Sequence, residues 1–304
     1  MSHSHALKAI VSAVESLRGA NLQARSIDWV NDQLSVLFRH YFPIGIGRSA
    51  EQVWYRGRKC PSEEGHASLT QMIYPGSGGE DFGRANFPRS RVLYASWNMR
   101  TVFDEIAVQA GHYVQTIALR PIAGLQVPCH IVGEYQSILN SGGSLINSRI
   151  LEQAVNRQMH DETDERQEAN FYIDSYFAEA FRRRVEHTYE YKATAAFAEK
   201  LHKANGGLMY PSVQTAGGIN IALPATVFDA NFEVMSTEVH RIDTCYGYGL
   251  NHTSLLRSSC DFESDGTINW SSHKRRPATW NLQEGVRMSA SETGWRKPAT
   301  GTGA

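Results

Sequence analysis

Strand-like and helix-like stretches alternate along this chain without settling into a repeating strand–helix–strand unit, and that irregular order most constrains its fold. Gln52-Val53-Trp54-Tyr55-Arg56-Gly57-Arg58, Val92-Leu93-Tyr94-Ala95-Ser96 and the run from Val114 to Leu119 carry the aromatic and β-branched residues of strands. Helical periodicities and long polar loops lie between them. A doubly wound parallel sheet requires regular βαβ units, so this order points to an α+β chain. Neither G-x-G-x-x-G nor G-x-x-x-x-G-K-[ST] follows a strand, which removes the two common nucleotide fingerprints.

The amino-terminal segment reads as a helical pair. Leu7, Ile10, Val11, Val14 and Leu17 recur at helical spacing up to Gly19. Ser26 then offers an N-cap with Asp28 in the first turn, and Val30, Leu34, Leu37, Phe38 and Tyr41 continue a buried stripe to Pro43. Asn98 or Ser96 is expected to cap a helix running through Val102, Phe103, Ile106 and Val108 to Gly111, with Glu105 inside it. Residues 133–170 read as less regular, with a turn at Ser141-Gly142-Gly143-Ser144 and an acidic run at 161–165. Two helices are expected over roughly 171–186 and 190–204, with Tyr172, Phe177, Phe181, Ala196, Phe197 and Leu201 as core. Beyond Phe232-Glu233-Val234-Met235 and about residue 245, the periodicity is lost. The predicted division is a helical extension at 1–48, a catalytic domain at 49–240 and a partly irregular extension at 241–304.

Composition narrows the functional classes. A formal net charge of −1 over 304 residues gives no electrostatic case for nucleic acid or an anionic membrane as partner. Cys60, Cys129, Cys245 and Cys260 lie far apart, which suits a reducing cytoplasm better than a disulfide framework. The histidines are scattered without zinc-ligand spacing, so no metal is expected. No stretch approaches the roughly 20 apolar residues of a membrane span.

The residues able to carry chemistry fall in three places. Arg56 and Arg58 alternate onto one face of a strand, and a guanidinium fork suits paired phosphate oxygens. Tyr94 and Ser96 precede the helix that carries Glu105. The stretch from Gly206 to Leu223 reads as a loop entering a strand. Its two glycine pairs bracket Tyr210-Pro211-Ser212, and Asn220 follows. Each motif alone has an ordinary reading as a surface ion pair, a core tyrosine or a turn.

Taken in order, Tyr55-Arg56-Gly57-Arg58, Tyr94-Ala95-Ser96 with Glu105, and Tyr210-Pro211-Ser212 resemble the RES domain, named for its Arg, Glu and Ser. Gly83-Arg84…Asn86-Phe87, Thr101-Val102-Phe103-Asp104-Glu105 and Gly217-Gly218-x-Asn220 resemble further elements of that family. Two departures stand out: Ala85 separates Arg84 from Asn86-Phe87, and Gln214 stands where many members have Arg.

The resemblance implies an ADP-ribosyltransferase-like split antiparallel β core flanked by helices, and an enzyme that degrades NAD. It implies cleavage of the nicotinamide–ribose bond by phosphate or water, with inorganic phosphate as candidate co-substrate, by a growth-arresting toxin acting in the cytoplasm. A cognate antitoxin or immunity protein is the implied partner. Arg56, Glu105 and Ser212 are then the expected catalytic set. Arg58, Arg84, Tyr94, Ser96, Tyr210 and Asn220 are the expected substrate-binding set, Asn220 more as loop support than as a ligand contact. Glu105 would stabilise positive charge on the ribose, and Tyr94 would stack on a base. The rival readings are a transferase of ADP-ribose onto a macromolecule and a catalytically inactive NAD-binding or interaction protein.

Overall fold

The computed structural model describes residues 5–74, 78–203, 206–247, 249–270 and 288–289. In chain order its first elements are α1 (His5–Gly19), α2 (Ile27–Phe38), β1 (Ile44–Arg48), β2 (Trp54–Cys60), β3 (Val92–Ser96) and α3 (Met99–Glu105). Then come β4 (Tyr113–Pro121), β5 (Val127–Ile131), α4 (Glu134–Ser141), α5 (Arg149–Asp161), α6 (Asp164–Arg182) and α7 (Lys192–His202). The last are β6 (Gly207–Pro211), β7 (Ile219–Pro224), α8 (Ala225–Asn231), β8 (Phe232–Gly247), β9 (Leu250–Ser259) and β10 (Met288–Ser289). The fold is mixed helix and sheet, with mostly antiparallel pairing and the expected amino-terminal helical pair. These elements divide into two compact units. The expected tail beyond residue 270 lies outside the described residues, apart from β10.

One unit comprises Met1–Ile46, Ser77–Val92 and Pro128–Val213. Ser26 caps α2 by accepting the Trp29 N–H, and Val30, Leu34 and Leu37 are fully buried. α1 packs on α2 and α6, while α2 packs on α7. Phe177 and Phe197 stack at 3.8 Å, and Phe181 meets the Tyr210 ring at 5.0 Å. These rings form the core that the helical spacing predicts. Tyr172 does not join it: the ring is half-buried, with its hydroxyl on Glu15.

Residues 133–170 are more ordered than the sequence suggests. The stripe Leu151, Val155 and Met159 on α5 recurs every fourth residue and is buried, a narrow signal among polar residues. The acidic run ends α5 and starts α6, where Thr163 caps the helix and Asp164 and Glu165 complement its exposed amides. α4 has Gly133 at its N-cap, with no side-chain cap of its own. Asp174 of α6 supplies the acceptors instead, taking the Gly133 and Gln136 N–H groups at 2.9 and 3.2 Å. The Tyr41 hydroxyl donates to the same carboxylate at 3.0 Å, and burial still pushes its pKa up to about 6. Gly207–Pro211 is a strand and not the expected loop. It runs parallel to β5 and is buried throughout, which explains its unbroken apolar character.

The other unit comprises Gly47–Gly76, Leu93–Val127 and Gln214–Ala304. Its strands run β7, β3, β2, β4, β8, with β9 and β10 paired to β8. β2 is antiparallel to β3 and β4, and β8 is antiparallel to β4 and β9. β9 contradicts the expected loss of order after residue 245. Its residues are mainly polar and it is held by pairing to the long β8, so no apolar alternation marks it.

α3 lies on the face of β2 that carries Gly57. A Cβ at Gly57 would come 2.5 Å from Val102 Cγ1, so glycine permits this close approach. Met99, Phe103, Val114 and Ile242 form the core there, with Tyr55, Ile106 and Val108 packed against it. The helix stops at Glu105 instead of reaching Gly111. Ala107 adopts φ +47°, and the N–H groups of Ala107 and Val108 turn back to Asp104 O and Phe103 O at 3.1 and 3.2 Å. That is a Schellman closure with alanine in the usual glycine position. Glu105 is therefore the last helical residue, at an end free to meet other segments. No helix among the described residues is long and apolar enough to cross a membrane.

Candidate functional site

Strand register places Tyr55 of β2 opposite Ser96 of β3. Because side chains alternate, Tyr94 and Ser96 share the face of Tyr55 and Gly57, where α3 packs. β7 lies beside β3, and the Trp97 N–H donates to Ile219 O at 2.9 Å. Asn220 thereby comes level with the end of β3.

The result is a hydrogen-bonded chain of three sequence-predicted residues. Ser96 Oγ donates to Asn220 Oδ1 at 2.6 Å, and Asn220 Nδ2 donates to Glu105 Oε1 at 2.7 Å. Ser96 and Asn220 are buried and Glu105 is half-buried. A buried amide with both ends engaged has little freedom, so it fixes the rotation of the carboxylate. Helix stability does not explain Glu105 here, because a carboxylate at a helix C-terminus faces the partial negative charge of the dipole. An acidic group retained at an unfavourable end and aimed by a buried amide suits charge stabilisation.

Arg56 and Arg58 occupy the opposite face of β2, at the positions paired with Ile117 and Gln115. Arg56 Nε donates to Met72 O at 2.7 Å, Nη1 to Tyr94 O at 2.8 Å and Nη2 to Ile73 O at 3.3 Å. Three of about five donors are thus committed to carbonyls. Burial first, then repulsion from Arg58, lowers the Arg56 pKa to about 10, so the group stays cationic at neutral pH. Arg58 Nη1 donates to Gln71 O. Among the described residues, neither arginine has an acidic ion-pair partner. Both are half-buried cations without counter-charge, which an anion would compensate.

The remaining predicted residues belong to the other unit. Ser212 is buried directly after Pro211 at the end of β6. Tyr210 is a buried ring against Phe181. Arg84 donates to Phe181 O and Arg183 O, and to the Tyr191 hydroxyl at 3.0 Å, with its guanidinium over the Tyr191 ring. These bonds tie Arg84 to the end of α6 and the segment before α7.

Sequence reasoning gave no site role to Asp104 or Thr215. Thr215 Oγ1 donates to Asp104 Oδ2 at 2.6 Å, which ties α3 to the glycine turn that leads into β7. The available signal was proximity: Asp104 adjoins Glu105, and Thr215 lies between the two glycine pairs. Among the described residues, no group of three or more His, Cys, Asp or Glu is placed to hold a metal ion.

The model of the RES domain matches residues 53–242, which takes in every residue proposed for the site. No curated protein sequence and no solved structure matches the chain.

Proposed function

The chain belongs to the RES domain family, and on that premise we propose that it is an enzyme that cleaves the nicotinamide–ribose bond of NAD. The observation that carries this reading is the Ser96–Asn220–Glu105 chain, which holds one carboxylate oriented at a helix end.

Breaking an N-glycosidic bond builds positive charge on the ribose in an oxocarbenium-like state. A carboxylate about 4 Å from a unit charge contributes about 4 kcal/mol at an effective permittivity near 20. That corresponds to roughly a thousandfold in rate. It requires the carboxylate to be oriented before the charge forms, which is the part taken by Asn220 and, behind it, Ser96. Tyr94, on the same face, is the candidate for stacking on a base of the dinucleotide. Arg56 fixes the Tyr94 carbonyl and so the strand that carries Tyr94 and Ser96. Its remaining donors, with those of Arg58, lie on the far face of β2 from Tyr94 and Glu105 and suit an anion bound there. Nicotinamide leaves, and phosphate or water takes the ribosyl carbon. NAD depletion would make the protein growth-arresting in a cytoplasm and give it a cognate antitoxin or immunity protein.

The test is incubation of the purified protein with NAD, with and without phosphate, followed by product masses. Nicotinamide with phosphorylated ADP-ribose means phosphorolysis, and nicotinamide with plain ADP-ribose means hydrolysis. Label retained on added protein means transfer. Absence of nicotinamide release, or wild-type release by Glu105→Gln, would overturn the reading.

A further inference from the structure

The end of α3 makes a second tie, one step from Glu105. Thr215 donates its hydroxyl to Asp104 Oδ2 at 2.6 Å. Thr215 also opens a tight turn: the Gly218 N–H returns to Thr215 O at 3.0 Å, with Gly217 at φ +73° in the position that requires it. Ile219 and Asn220 follow at once. Gly249, just before β9, lies against the same carboxylate. A Cβ at Gly249 would lie 2.6 Å from Asp104 Oδ2 and would also strike Arg100 Nε.

Asp104 therefore lies between the Thr215 hydroxyl, which bonds it, and Gly249. Adjacent helical residues point about 100° apart, so Asp104 and Glu105 grip the Thr215–Asn220 segment at two separate points. The bond at Thr215 is charge-assisted and short, the stronger class of hydrogen bond. An acidic residue at the helix C-terminus gains nothing from the dipole, so this tie is what explains Asp104 there.

We propose that Asp104 and Thr215 are positioning residues: their bond latches the Thr215–Gly218 turn to α3 and so sets the reach of Asn220 to Glu105. The catalytic half of this inference rests on the proposed NAD cleavage, while the latch itself does not.

The experiment compares Thr215→Val, which removes only the hydroxyl, with Thr215→Ser, which keeps it. Nicotinamide release is measured as kcat and KM, and amide hydrogen exchange is measured on the unliganded protein. In Thr215→Val, kcat is expected to fall about tenfold or more while KM stays within about twofold, as for an interaction felt in the transition state. The Gly218 amide is expected to exchange about tenfold faster or more, with Val114 and Ile117 in β4 protected as in wild type. Thr215→Ser restores both. Wild-type kcat in Thr215→Val overturns the inference, as does unchanged Gly218 exchange or a loss of protection throughout β4. A wild-type protein that releases no nicotinamide overturns the proposed activity instead, and the exchange data alone then decide the latch.

Discussion

Asn220 and Glu105 are joined by a 2.7 Å hydrogen bond from the Asn220 side-chain amide to Glu105 Oε1, and the Ser96 hydroxyl holds the other end of that amide. The carboxylate is thus aimed by a neighbour that is itself buried and aimed. Replacing the amide by a second carboxylate tests the arrangement without changing its size.

In Asn220→Asp, two carboxylates meet at hydrogen-bonding distance and must share a proton. Nicotinamide release is expected to fall about a hundredfold near neutral pH, from loss of a charge-assisted bond of roughly 1.5–3 kcal/mol and added repulsion. The rate profile should lie below wild type throughout the neutral range. A profile superimposable on wild type would remove Asn220 from the site.

Arg56 satisfies Met72 O, Ile73 O and Tyr94 O with one planar group, a task that a single ammonium cannot repeat. Arg56→Lys is expected to lower the unfolding free energy by about 2–4 kcal/mol, since each buried carbonyl left unpaired costs about 1–3 kcal/mol. Urea titration gives the answer. A variant as stable as wild type would show that the carbonyl ties do not anchor β2.

Ala107 sits at φ +47° and is exposed, so its side chain packs little and strains the backbone. Ala107→Gly is expected to stabilise the protein by about 1 kcal/mol, the penalty of an L side chain in the left-handed region. The urea midpoint should rise. An unchanged or lower midpoint would mean that the Schellman closure carries no strain.

Asp174 carries a pH dependence with a defined sign. Burial raises its folded-state pKa from 3.8 to about 6, so its contribution is full below about pH 4 and is lost as pH rises through about 6. The shift corresponds to about 3 kcal/mol at about 1.4 kcal/mol per unit. Glu134, also raised by burial, acts in the same direction, so the comparison with Asp174→Asn isolates one group. Between pH 4 and 7 the wild type is expected to lose about 3 kcal/mol relative to the variant. A constant difference across that range would place the Asp174 titration elsewhere.

The ordered motifs around Arg56, Glu105 and Ser212 are visible in the chain, and so are α1, α2 and the Ser26 cap, because each depends on residues a few positions apart. Local spacing also marks Phe177, Phe181 and Phe197 as core. The sequence by itself therefore determined the family, the helical pair and the candidates for the site.

Tertiary structure decided which of those residues meet. Asn220 reaches Glu105 across 115 residues of chain and Ser96 across 124, through the register of β3 and the order of β7 beside it. The same register sends Arg56 and Arg58 to the far face of β2, which alternation alone cannot show because it does not say which face α3 covers. α4 likewise begins where Asp174 of α6 supplies the acceptors that Gly133 lacks. Periodicity encodes the conformation of a segment, whereas a hydrogen-bond partner from a distant segment is set by packing.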